Sequence, residues 1–139
     1  MVVLRVGGHA YGLPVTAVVE VTRMVALAPI PGAGPWLAGM ADLRGVPVPV
    51  VDLAARLGRA FRAPVLDRRI VVTADPGDGP ADGPAGLVGL LVDEVSGVAP
   101  AGETVPASPP APLVRGAVRI GDEMVMVLDE TAVRAGGHG

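Results

Sequence analysis

The chain has no cysteine, lysine, asparagine or glutamine, and only three aromatic residues, Tyr11, Trp36 and Phe61, among 139. Without cysteine there is no disulfide, no thiolate metal site and no cysteine nucleophile. So few rings force any core to be built from Val, Leu and Ala. Arginine carries all the side-chain positive charge except histidine's, a pattern read as coding bias in a GC-rich genome. The formal net charge is −3, and no face is evidently basic, so nucleic acid is not an expected partner. No apolar run approaches the length that crosses a bilayer. Strand-like residues begin at Val2 with no charged leader or cleavage pattern before them. The expectation is a cytoplasmic protein without direct membrane insertion.

What is abundant is equally directive. Half the residues are hydrophobic, with 20 Gly and 15 Pro, and the Gly and Pro mostly punctuate Val-rich runs. That is the pattern of many short strands joined by turns. Residues 2–6 and 10–14 read as a hairpin around Gly7-Gly8. Residues 15–21 fit a short helix or a strand equally well, and 22–28 read as a further strand. Residues 36–43 and 46–51 form the next pair. A short helix follows over 52–57, with Asp52 as N-cap and Gly58 as stop. Strands are expected at 69–73, 87–93 and 94–99, then at 115–120 and 124–128 around Gly121-Asp122. A helical stub opens at Asp129. Residues 75–86 carry nothing apolar larger than Ala or Pro and read as a flexible solvent loop. Residues 100–112 read as a Pro/Ala-rich connection, and 135–139 as a frayed end.

The residues offer little for catalysis. His9 sits in a turn and His138 in a Gly-rich tail, and Ser96 and Ser108 lack a nucleophile-elbow context. Asp75, Asp78 and Asp82 do not match the spacing of a calcium loop. Neighbours in a strand point to opposite faces, so neither Asp93-Glu94 nor Asp122-Glu123 converges on one site. No phosphate loop or dinucleotide fingerprint is present. The basic stretch Arg56, Arg59, Arg62, Arg68 and Arg69 reads as a solvated helix and loop. The expectation is a protein that is not an enzyme and carries no metal or cofactor.

The halves echo one another. Tyr11-Gly12-Leu13-Pro14-Val15 matches Val88-Gly89-Leu90-Leu91-Val92. Leu43-Arg44-Gly45, a Val run and Asp52 match Val114-Arg115-Gly116, a Val/Met run and Asp129. Two similar β-units packed together would produce this, and so would chance among Val-rich runs. Pro47 and Pro49 place 46–51 at an edge or in a barrel, and Arg44-Gly45 sets a cation at its corner. Arg44 is positioned to pair with Glu20, an exposed interaction of small energetic weight.

In order and spacing, these segments resemble the CheW family of chemotaxis coupling proteins. The resemblance also rests on Val18-Val19-Glu20-Val21, Ile30-Pro31, Gly39, Leu43-Arg44-Gly45, Val48-Pro49-Val50-Val51-Asp52-Leu53, Gly58, Val95-Ser96-Gly97-Val98, Gly116 and Val127-Leu128-Asp129. It implies an all-β fold with short helices: two packed five-stranded SH3-like β-barrels, intertwined in a single domain over 1–139 around a shared apolar groove. It implies a non-catalytic adaptor that joins the cytoplasmic tip of a chemoreceptor to the regulatory domain of a CheA-type histidine kinase. Carried over by position, Val18, Gly39, Val95 and Val98 fall at or near the receptor groove, with Glu20 and Arg44 beside it. The resemblance turns Arg44 from a surface charge into a coupling residue. No phosphotransfer, ATP-binding or receiver segment accompanies it, so the chain is neither the kinase nor the receiver-fused type.

The departures from the family are Asp42, where Asn usually precedes Leu-Arg-Gly, the long 75–86 loop, and a C-terminal helix cut short at 129–134. Asp42 is expected to weaken the contact of Arg44 with a partner. The alternatives are a scaffold serving a non-motility chemosensory pathway, a β-barrel module holding a small ligand between its halves, and, last, a metal enzyme using the loop carboxylates.

Overall fold

The structure is a computed structural model and describes residues 1–74, 86–100 and 102–135, without the side chains of 107–110. The 75–85 part of the expected loop, with Asp75, Asp78 and Asp82, lies outside the described residues. So do His138 with the tail 136–139 and the side chain of Ser108.

Twelve described strands run in chain order: β1 (Val2–Val6), β2 (His9–Leu13), β3 (Val18–Arg23), β4 (Leu27–Ala28), β5 (Leu37–Leu43), β6 (Val46–Asp52), β7 (Arg69–Thr73), β8 (Val88–Val92), β9 (Glu94–Val98), β10 (Val105–Ala111), β11 (Val114–Ile120) and β12 (Glu123–Leu128). Helix α1 (Leu53–Leu57) follows β6 and α2 (Glu130–Arg134) follows β12. Each helix is started by an aspartate in the same way. Asp52 Oδ1 accepts from Ala55 N at 2.9 Å, and Asp129 Oδ1 accepts from Ala132 N at 3.2 Å, which satisfies a backbone donor the first turn leaves orphaned.

The strands form two six-stranded sheets, ordered β9-β1-β2-β12-β11-β10 and β3-β7-β8-β6-β5-β4. Placed side by side, the two orders are the same fold drawn twice. Parallel pairs occur only at β12/β2 and β6/β8 among the described strands, and they align Val127 with Gly12 and Val50 with Gly89. The Gly-Leu echo is therefore structural. The sequence splits into β1–β6 with α1 and β7–β12 with α2, and each half lends its first hairpin to the sheet of the other.

The sheets curl and pack. Ala41, Leu43, Val48, Val50, Ile70, Val72 and Leu91 fill one, with Met24, Leu27 and Phe61 against them. Val3, Ala10, Val118, Val125 and Val127 fill the other. The largest cluster joins both, with Leu4, Val6, Tyr11 and Leu13 from the first hairpin meeting Val51, Leu53, Val71, Val88 and Leu90. At about 1.5–3 kcal/mol for each fully buried Val or Leu side chain, this shared layer welds the exchanged hairpins together.

Several boundaries differ from expectation. Residues 15–17 form a 3-10 turn and only 18–23 a strand, so both readings of 15–21 hold in part. The strand expected at 22–28 is broken, with residues 24–26 irregular between β3 and β4. Residues 105–111 pair with β11 as β10 instead of forming a plain connection. Pro106, Pro109 and Pro110 hid that strand, because each removes a ladder donor and so favours an edge, where β10 lies. β4 and β10 bring each sheet from the expected five strands to six. The Arg-Gly half of the internal echo was misplaced. Arg44-Gly45 is the β5–β6 turn, whereas Arg115-Gly116 lies inside β11.

The true counterpart of Gly116 is Gly39. Both follow a register shift, at Leu37/Gly39 and at Val114/Gly116, and both are crossed by the edge strand. A Cβ on Gly39 would stand 2.8 Å from Ala28 O, and one on Gly116 would collide with the backbone of Val105.

Candidate functional site

The expected partner-binding residues Val18 and Val95 occupy matching places. Val18 pairs with Thr73 and Val95 with Leu4, each next to a register shift on the edge strand of its sheet. Both are half-buried against the central cluster. Between the β3 and β9 edges opens a groove of about 400 Å3, lined by Val21, Ala63, Asp67, Arg69, Asp93, Glu94 and Val95. Around it Val19 is 56% and Val21 42% exposed, although both belong to a Val-rich strand. Unpaired strand edges bearing exposed valines are what a β-protein normally avoids or covers.

Glu20 and Arg44 meet. Arg44 Nη2 donates to Glu20 Oε1 at 2.6 Å, which joins the first strand of one sheet order to the turn near its last and shows how far that sheet curls. The bond from Glu20, then its charge, holds the Arg44 guanidinium above its ordinary range. Three-quarters of the Arg44 side chain is exposed. Its backbone is left-handed at φ 55°, next to Gly45 at φ 85°, the φ pair of a type I′ hairpin turn. Gly or Asn is the usual residue there, so a left-handed arginine is unfavourable for the backbone. Asp42 acts within the turn itself, where its Oδ1 accepts from Gly45 N at 2.8 Å and locks the backbone. It stabilises the conformation that presents Arg44.

Gly39 and Val98 are not part of this groove. Gly39 lies on β5 beneath β4 and is occupied in letting the backbones cross. Val98, 73% exposed, lines a separate recess of about 210 Å3 with Val3, Arg5, Ile120 and Glu123.

Two features escaped the reading of the residues. Asp93 is buried and accepts three backbone N–H bonds, from Gly7 at 2.7 Å, Arg62 at 2.9 Å and Ala63 at 2.8 Å. It thereby fixes the groove wall at Ala63; its place at the end of a fully buried strand was the available signal. The basic stretch is not simply solvated. Arg68 lies over the Phe61 ring at 4.2 Å, Arg56 over Trp36 at 5.3 Å, and Arg59 Nε donates to Tyr11 Oη at 3.1 Å. Two of the chain's three rings thus carry a guanidinium and the third bonds one.

Chemically the groove offers apolar contact, charge and strand edges. Ser96 Oγ accepts from Arg5 Nε at 3.1 Å, and His9 Nδ1 lies 3.1 Å from Gly7 O in the exposed turn. Among the described residues no three His, Cys, Asp or Glu side chains cluster as metal ligands, and no helix is long and apolar enough to cross a membrane.

Comparison with known proteins agrees with this geometry. The model of the CheW-like domain matches residues 1–135. A chemotaxis protein CheW of Rhizobium meliloti (strain 1021) is 33% identical over 98 residues, covering 70% of this chain and 58% of the relative. The chemotaxis protein CheW of Bacillus subtilis (strain 168) is 34% identical over 74 residues, 53% of this chain and 47% of its own length. Protein PilI of Pseudomonas aeruginosa is 33% identical over 94 residues, 68% of this chain and 48% of that protein. The aligned region thus spans roughly half the length of these relatives. The crystal structure of the scaffolding protein TtCheW from Thermoanaerobacter tengcongensis superimposes with a TM-score of 0.78 at 30% identity, over 92% of this chain and 86% of that one. With the exchanged hairpins, the paired barrels and a family match over nearly its whole length, the chain belongs to the CheW-like family.

Proposed function

We propose that this chain is a non-catalytic adaptor that couples a chemoreceptor tip to a CheA-type histidine kinase at cytoplasmic receptor arrays. The observation that carries the reading is the groove between the β3 and β9 edges, with Val21 and Val95 on its walls and the Glu20–Arg44 pair at the nearby corner. An amphipathic receptor helix would bury its apolar face against these valines. Area burial at about 25 cal/mol per Å2, offset by ordering, gives modest reversible affinity. Arrays would then be held by many weak contacts. Val18 supports the floor, Glu20 and Arg44 steer a charged partner, and Gly39 shapes the barrel without touching it. Val98 lies outside the groove and suits a second contact, with the kinase as the candidate.

The test is direct binding of a receptor hairpin-tip peptide and of a kinase regulatory domain to the chain and to its Val21→Asp and Val95→Asp variants. Receptor binding is expected to fall at least about tenfold in both variants, because each would bury an unpaired carboxylate, while kinase binding persists. Unchanged receptor affinity in both variants, with folding intact by circular dichroism, would remove the groove from the account. A second reading keeps the scaffold and makes the output a non-motility chemosensory pathway; one relative, PilI, carries a name other than chemotaxis protein.

A further inference from the structure

A cleft of about 390 Å3 opens between α1, α2 and the β10–β11 turn. Leu57, Leu113, Val114 and Met126 make it apolar, and Tyr11, Arg56 and Arg59 place polar groups on it. It shares no lining residue with the β3–β9 groove.

Two arginines face this cleft. Neither Arg56 nor Arg59 has a carboxylate within ion-pair distance among the described residues, where Arg5 and Arg44 do. The carboxylates that start the two flanking helices, Asp52 and Asp129, are spent on capping. Arg59 Nε donates to Tyr11 Oη, and Arg56 Nη2 donates to Ala132 O at 3.3 Å. Arg56 Nε is sealed from solvent with no acceptor. Two cations on an apolar cleft of this size are complementary to one anion on an apolar body.

We propose that this cleft binds a small organic monocarboxylate with an apolar body. The carboxylate lies between the Arg56 and Arg59 guanidiniums beside the Tyr11 hydroxyl, and the body lies along Leu57, Leu113 and Met126. Inorganic phosphate would gain the charge and lose the wall. A neutral alcohol would gain the wall and leave the cations unpaired.

Trp36 is the only tryptophan and stacks on Arg56, so its fluorescence reports the site. The full chain is titrated with decanoate, and in parallel with decanol and with inorganic phosphate. A saturable change in Trp36 emission with decanoate is expected, at least about tenfold tighter than with either control. Arg59→Gln should weaken it about tenfold, since one charge-assisted bond is lost. Ala132→Phe, which fills the cleft without removing charge, should abolish it. Circular dichroism checks that both variants fold. Equal responses to decanol and decanoate, equal responses to phosphate and decanoate, or decanoate binding unaffected in both variants would each overturn the proposal.

Discussion

Gly39 separates a contact from a scaffold element, because family position puts it at the partner site while geometry puts it beneath β4. Its φ is 151°, and a Cβ would lie 2.8 Å from Ala28 O and 2.9 Å from Leu27 Cβ. Backbone strain of about 1–3 kcal/mol and overpacking of similar size give Gly39→Ala a loss of about 3–4 kcal/mol. For a chain of this size the thermal midpoint should fall by roughly 10 °C. Gly45→Ala is the control: φ is 85° with open space around the site, so only the left-handed cost of about 1–2 kcal/mol applies. Differential scanning calorimetry and urea titration followed by Trp36 fluorescence measure both. Receptor-tip binding by Gly39→Ala should match the parent well below its midpoint and vanish only as it melts. An unchanged midpoint with lost binding would refute the reasoning and make Gly39 a contact.

Three further outcomes follow from other sites. Asp93→Ala strands three backbone donors and should cost about 2–4 kcal/mol in urea unfolding, with Asp93→Asn intermediate; a loss below about 1 kcal/mol would mean that water replaces the carboxylate. Arg44→Gly suits the left-handed turn, so its thermal midpoint should hold or rise while coupling to a receptor–kinase pair falls; retained coupling would leave the arginine incidental. The bond from Arg5 holds the Glu123 carboxyl below its ordinary value of 4.5, while desolvation opposes the shift. A depressed folded-state pKa gives stability that is present above 4.5 and lost as pH falls through the lower folded value. The parent should therefore lose more stability on acidification through this window than Glu123→Gln, measured as thermal midpoint against pH.

The strand pattern was legible wherever one residue type dominated. Val-rich runs located β1, β6 through β8, β11 and β12, and Asp52 and Gly58 bracketed α1. The exchange of hairpins was not legible, because periodicity reports which face is buried and not which sheet receives the strand. β10 was hidden by its three prolines, which remove ladder donors and favour an edge; β6 tolerates Pro47 and Pro49 because its pairing with β8 begins only at Val50. The repeat was half visible: Gly12 with Gly89 and Asp52 with Asp129 are true partners, but Arg44-Gly45 drew the eye from Gly39 and Gly116. Glu20 and Arg44 could be paired because opposite charges near strand ends are a local signal. Asp93 could not, since its three donors come from residues 30 to 86 positions away.

The central claim is coupling, and it is tested most directly by bridging. A receptor hairpin tip is immobilised and offered a CheA-type kinase regulatory domain, with and without this chain. Kinase capture should require the chain and should be lost with Val95→Asp, even though that variant still binds kinase in solution. Capture that is indifferent to the chain, or capture through Val95→Asp and Val21→Asp equal to that through the parent chain, would contradict the account.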